Sequence, residues 1–231
     1  MTLHLVLAES ALELVPESMQ GHPAARAHAR RLGRPASETL LDVSWHYAAM
    51  RDAPDAHRRG RPDLVHQAVL AAVATPLYRN GLVRLYVHTL RDVVVRFGGG
   101  VRVPKSYHRF EGLFAKLLRE GRAGGEEALL EAGGGTIPSL LREIGPSERV
   151  GLSRAGLPVA CRRMAAGLGE EACVVVGGFQ RGGFSDSTAG ALDRICSISP
   201  RPLETHLVVG RLLYDIEAEL YGPEMDGGAP A

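Results

Sequence analysis

The chain has 231 residues, with Lys+Arg 27 against Asp+Glu 26 and 45% hydrophobic residues. That length can bury a full core, and the near-neutral balance excludes a general attraction for polyanions, so any nucleic-acid surface must be local. Three cysteines without a Cys-x-x-Cys pair, nine histidines without ligand spacing and no membrane-length apolar run argue for a cytoplasmic protein with reduced thiols, no disulfide framework and no metal site.

Along the chain, strand-like and helix-like stretches alternate. Leu3–Ala8 reads as a core strand, Ala24–Arg31 as a polar, Arg-rich helix, and Leu40–Asp42 as a short strand entering a helix near Trp45–Arg51. Leu64–Val73 is an apolar helix. Leu82–His88 alternates like a half-buried strand, with Val93–Phe97 as its hairpin partner. A helix beginning near Ser106 buries Phe110, Leu113, Phe114, Leu117 and Leu118 on one face. The glycine-rich segment Arg122–Gly135 is expected to be surface loop. Then follow a helix at Pro138–Ile144, a strand at Arg149–Ser153, a helix around Arg162–Leu168, strands at Cys173–Val176 and Ile195–Ile198, and a helix from Glu204 to Leu220. Residues 222–231 are expected to form a disordered tail, leaving 1–221 as a single domain. Near-continuous apolar strands alternating with helices predict an α/β fold around a mostly parallel sheet.

Two short basic elements stand out, at 58–63 and 101–110. In the first, Pro62 suits the first position of a helix, and Asp63 suits the first turn, where the helix dipole favours a carboxylate. Asp63 is also placed to hold the Arg61 guanidinium in a two-point bond, which would pre-orient it for a phosphate. A plain helix cap and a poised arginine are both open readings. In the second element, Lys105 and Arg109 are four apart and share a helix face, with Arg102 just ahead.

A second region has the character of a ligand site. Val174–Phe184 runs from a buried strand into a loop rich in glycine, where backbone groups can come close to a ligand. It is neither Gly-x-Gly-x-x-Gly nor a Walker loop. Cys196–Leu203 leaves the next strand and turns through two prolines, and Leu152-Ser153 ends the strand before. Three strand ends would close on one pocket, of a kind suited to a purine base with a neutral or cationic tail.

The stretches Leu-Val-Leu-Ala-Glu-Ser-Ala-Leu-Glu (5–13), Leu-Leu-Asp-x-Ser-x-His (40–46), Arg-Gly-Arg-Pro-Asp-Leu-Val-His (59–66), Val-Arg-Val-Pro-Lys-x-Tyr-x-Arg-Phe (101–110), Val-Gly-Gly-Phe (176–179) and Ser-Ile-Ser-Pro-x-Pro-Leu (197–203) together resemble one family. It is the ribosome-biogenesis pseudouridine N1-methyltransferases of the SPOUT class, in their archaeal form. The resemblance implies a trefoil-knotted α/β fold, S-adenosylmethionine as cofactor, a homodimer, and methylation at N1 of a pseudouridine in small-subunit rRNA. By this resemblance Leu152, Gly177, Gly182, Cys196, Ser197, Ile198, Ser199, Pro200, Arg201 and Leu203 bind the cofactor. Arg61, Arg102, Lys105 and Arg109 contact RNA, with Asp63 steadying Arg61, and the elements around 57–66 and 101–120 are RNA-binding insertions. Arg201 stands where the family usually carries an aromatic residue. No proton acceptor is assigned among Asp63, His46, His66 and His108. The competing readings are a non-catalytic rRNA-binding assembly factor and a protein that binds ATP or NAD.

Overall fold

Leu3–Ser10 forms a strand (β1) that is buried along its whole length, as its near-unbroken apolar sequence requires. The computed structural model describes residues 1–124 and 129–225. After β1 the chain passes through α1 (Glu17–Gln20), α2 (Pro23–Leu32), α3 (Val43–Met50), α4 (Pro62–Val73) and α5 (Pro76–Arg79). Strands β2 (Val83–Thr89) and β3 (Val93–Phe97) lead into α6 (Tyr107–Glu120), β4 (Arg122–Ala123), β5 (Leu130–Gly134) and α7 (Ile137–Ile144). The last part comprises β6 (Glu148–Pro158), α8 (Cys161–Ala166), β7 (Ala172–Gly177), α9 (Asp186–Ala189), β8 (Arg194–Ser197) and α10 (Thr205–Met225).

One eight-stranded sheet runs in the order β4-β5-β3-β2-β1-β7-β6-β8. Strands β2, β1, β7, β6 and β8 are parallel, and β3, β5 and β4 add antiparallel pairs at one edge. The period of two along β1 divides the core. Leu3, Leu5 and Leu7 pack with the α4, α6 and α10 side, among Val65, Val69, Phe110, Phe114, Val209 and Leu213. Val6 and Ala8 face α7, against Ile137, Leu140 and Leu141. Each buried Leu or Val contributes roughly 1.5–3 kcal/mol of transfer free energy. A third cluster, Val15, Met19, Ala25, Leu41 and Met50, lies beneath the first three helices.

Three expectations change. Leu40–Asp42 gives only an isolated bridge from Leu40 to Leu14, and Asp42 is spent as the cap of α3, accepting from the Ser44 N–H at 2.8 Å. The segment 122–135 is not simply loop. Leu130–Gly134 pairs residue for residue with Val93–Phe97, because β3 would otherwise present an unpaired edge and glycine offers backbone groups without needing a side chain to bury. The last helix continues to Met225, past the Leu220 expected to end it and into the expected tail, carried by its packing on α4 and α8; the rest of that tail, 226–231, lies outside the described residues.

Candidate functional site

Because five strands are parallel, their carboxyl ends gather along one edge, the usual place for a ligand in such sheets. There the ends of β6, β7 and β8 surround a cleft of 460 Å³, bounded on its far side by the start of α10. Leu152, Gly177, Gly182, Ser197, Ile198, Ser199, Arg201 and Leu203 line it, as expected from sequence. Cys196 and Pro200 do not: Cys196 is packed into the core, and Pro200 is exposed on the turn.

Further lining comes from the expected glycine loop and from Arg154, which carries no sequence expectation. Phe179, Gln180, Arg181 and Phe184 extend the glycine loop over the cleft, and Arg154 and Arg201 stand with Arg181 in its wall. Between Leu152 and Leu157 strand β6 bulges, then rejoins β8 opposite Cys196. Gly156 makes that return possible, since a Cβ there would lie 2.6 Å from the Cys196 carbonyl carbon. At the head of α10, the Thr205 hydroxyl donates to the Gly177 carbonyl at 2.9 Å, fixing the floor. The lining contains no Asp, Glu, His or Cys, so nothing in the wall is a base at neutral pH.

One buried acid holds the cleft loop to the rest of the edge. Glu9, 5% exposed and with φ 51, sits at the bulged end of β1. Its carboxylate accepts from the Ser185 N–H and hydroxyl, from the Thr188 hydroxyl at 2.6 Å and from the Arg58 guanidinium. Burial alone would raise its pKa, but these donors outweigh that and hold it below the ordinary carboxylate value. The Glu9 N–H donates to His88 Nδ1, which fixes the neutral Nε2–H tautomer of His88 toward Asp92. Arg58 in turn lies over the Phe179 ring, 4.2 Å from its centroid. One signal for Glu9 is visible in the sequence: a carboxylate directly after the apolar run Leu5–Ala8.

The basic elements meet the same edge. Arg61 donates from Nε and from an Nη to the two Asp63 oxygens, each at 2.8 Å, and Pro62 opens α4. The two-point bond is present, and Asp63 stands in the first turn of α4. Burial raises the Asp63 pKa, yet Arg61 overcomes it and keeps the acid ionised, so Asp63 is a poor base. Ala11 ties the two regions: its N–H donates to the Gly178 carbonyl at 2.9 Å, and its carbonyl accepts from the Arg61 N–H at 3.2 Å.

Helix α6 is docked beside α4. His66 Nε2 donates to the Pro104 carbonyl at 2.8 Å, and the Tyr107 hydroxyl donates to Asp42 at 2.5 Å. This leaves Arg102, Lys105 and Arg109 exposed, with no ion-pair partner among the described residues. Beneath α6 the Asp42 N–H donates to His46 Nδ1, so His46 Nε2–H faces His28 Nδ1 at 3.2 Å, and His28 in turn faces the buried Glu111. Burial, with His46 beside it, lowers the His28 pKa to about 4.

Among the described residues no group of His, Cys, Asp or Glu is gathered to hold a metal, and no helix is long and apolar enough to cross a membrane. Comparison with known proteins is consistent over most of the chain. The pattern of the EMG1/NEP1 methyltransferases matches residues 5–217. A "Ribosomal RNA small subunit methyltransferase Nep1" of Pyrobaculum calidifontis is 45% identical over 183 residues, which cover 79% of this chain and 82% of the relative. The protein of that name from Thermococcus kodakarensis is 36% identical over 94% of this chain and 99% of its own. Archaeoglobus fulgidus Nep1, in a crystal structure bound to S-adenosylhomocysteine, superposes with a TM-score of 0.84 at 31% identity, covering 94% of this chain and 98% of that one.

Proposed function

The chain belongs to the EMG1/NEP1 methyltransferase family, and we propose that it methylates N1 of a pseudouridine in small-subunit ribosomal RNA with S-adenosylmethionine as donor. The observation that carries this reading is the shared edge, where a base-free cleft with three arginines in its wall is joined through Ala11 to the Arg61 backbone. It leaves the ATP or NAD reading without support, since the cleft has no acid for a ribose and no Walker-type lysine.

The cleft suits S-adenosylmethionine in its chemistry. Leu152, Val176, Ile198, Leu203 and Val208 offer apolar walls for a purine, Ser197 and Ser199 offer hydroxyls and backbone groups, and Arg154, Arg181 and Arg201 offer cations for a carboxylate. We assign the cofactor to Leu152, Gly177, Gly182, the stretch Cys196–Arg201 and Leu203, with Cys196 and Pro200 shaping the loop rather than touching the ligand. When bound, the cofactor supplies a methyl group already activated on a sulfonium, so proximity and alignment make up most of the catalysis. The chain's part is to hold the RNA. Arg102, Lys105 and Arg109 take phosphates, Arg61 is kept in place by Asp63, and an unpaired loop nucleotide is turned toward the cleft. With no base in the lining, the N1 proton goes to water.

We further assign residues 1–221 to one cytoplasmic domain acting as a homodimer. Leu157 at 74% exposure on β6, and Tyr214 at 69% with Leu207 on α10, are large apolar side chains left uncovered. Part of the α10 face belongs to the core instead, Leu212 being fully buried. The deciding experiment measures transfer of labelled methyl from S-adenosylmethionine to two RNA hairpins that differ only in uridine or pseudouridine at one loop position. Transfer to the pseudouridine hairpin alone is expected. Tight binding of RNA and cofactor without transfer to either hairpin would make the protein an assembly factor.

A further inference from the structure

Beside the cofactor cleft, between α3 and the turn that leads to α4, lies a further cavity of 240 Å³; the family resemblance assigns Arg61 in its lining and the element around 57–66, but neither Tyr47 nor Arg51. Tyr47 stands on its rim, 70% exposed, with neither a hydrogen bond nor a ring partner among the described residues. Around it are Arg51, His57, Arg61 and Arg181, and no carboxylate lines the cavity. Arg51, His57 and Arg181 make no ion pair among the described residues, in contrast with Arg58 and Arg59, which are engaged by Glu9 and Glu13. The floor is fixed. The Val43 N–H donates to the Gly60 carbonyl at 2.8 Å, and the space where a Gly60 side chain would stand is filled by Met50. Gln180 and Arg181 line both this cavity and the cofactor cleft, so the two are neighbours across one loop.

An aromatic ring with an open face, interleaved with cations and free of acids, is the composition of a stacking platform for single-stranded nucleic acid. A solvated Tyr on a helix would be unremarkable alone. Here it faces a preformed cavity whose unpaired Arg51 and Arg181 guanidinium groups and His57 imidazole can take the phosphates on either side of a base. Gln180 is the one side chain in the lining with a neutral amide, so the site selects a base's flat face more than its edge pattern. We infer that Tyr47 stacks on an unpaired RNA base next to the methylated nucleotide, with Arg51, His57 and Arg181 on the flanking phosphates, thereby fixing the register in which the target enters the cleft. This rests on the proposed RNA methylation and adds to it a positioning residue outside the cofactor loops and outside α6.

The test uses Tyr47→Ala and Tyr47→Phe in the full chain, with the pseudouridine hairpin carrying 2-aminopurine beside the target position. Wild type and Tyr47→Phe are expected to quench the 2-aminopurine on binding. Tyr47→Ala should lose the quench and bind RNA on the order of ten-fold more weakly, with S-adenosylhomocysteine affinity and Tm unchanged. Its methylation should show a raised KM for RNA at nearly constant kcat. Methylation by wild type with an unaltered Tyr47→Ala would overturn the stacking role alone, and equal loss in Tyr47→Phe would replace stacking by a hydroxyl contact. No binding or methylation of RNA by wild type would overturn the functional reading as well. If Tyr47→Ala instead lost binding of a poly-glutamate peptide and kept RNA affinity, the cavity would be a protein-docking site and the inference would fail.

Discussion

The cleft proposed for the cofactor and the cationic face share one edge of the sheet but are made by different means. The cleft is built from strand ends, a bulge and close-packed backbone, where Gly156 and Gly178 leave no room for a side chain. The cationic face is built from side chains held by specific partners: Arg61 by Asp63, and α6 by His66 and Tyr107. The first is therefore vulnerable chiefly to added atoms, whereas the second is vulnerable to removed charges and the more sensitive of the two to salt.

The strongest challenge to that division is Glu9→Ala, which removes the acid joining both regions. Leaving Arg58 largely buried without its partner is expected to cost about 3–5 kcal/mol. RNA and cofactor affinity should fall together, in contrast with every other variant discussed. Chemical denaturation and calorimetry with each ligand measure this, and intact binding of either ligand would show that Glu9 merely stabilises the fold. Next comes Gly156→Ala, which forces a Cβ against the β8 backbone. A loss of about 1–3 kcal/mol is expected, read as weakened S-adenosylhomocysteine binding with RNA affinity preserved.

His28 sharpens the comparison through pH. Its folded pKa of about 4 lies below the ordinary 6.5. Between those values the unfolded chain takes up a proton that the folded one refuses, so this group's contribution to stability falls as pH falls, by about 1.4 kcal/mol per pH unit at most. Glu111, raised by its burial, works in the opposite sense. The reading is therefore the difference between wild type and His28→Gln, which should grow in the variant's favour from pH 6.5 toward 4. An NMR titration of His28 with a midpoint near 6.5 would remove the effect. The smallest change is expected for Arg109→Ala. RNA affinity should drop several-fold and the slope of log K against log salt should shrink by about 0.7, while the cofactor isotherm stays the same at every salt concentration.

Much of this was legible from residues alone. Lys105 and Arg109 lie on the exposed face of α6 and Phe110 and Phe114 on its buried face, because a period of 3.6 leaves little choice. Pro62 and Asp63 marked the start of α4 for equally local reasons. What sequence missed depends on distant backbone. β5 exists because β3 needs a partner, not because Leu130–Gly134 has strand-forming side chains. Cys196 was expected at the ligand, but strand alternation turns it into the core while Ser197 lines the cleft. Glu9, Thr205 and Arg58 act across separations that no local pattern reveals.

Strand β1 also sets an order of events during synthesis. One of its neighbours, β2, leaves the ribosome some 80 residues later, but the other, β7, pairs His4 with Cys173. A chain emerging from the ribosome can therefore assemble β1, β2, α4 and α6, with the cations they carry, well before the second side of β1 is covered. The cleft, which needs β6, β7, β8 and the head of α10, must close last. Such long-range pairing slows folding and leaves a hydrophobic strand half bare in the interval. The nascent protein thus acquires its grip on polyanions before it acquires a place for the methyl donor.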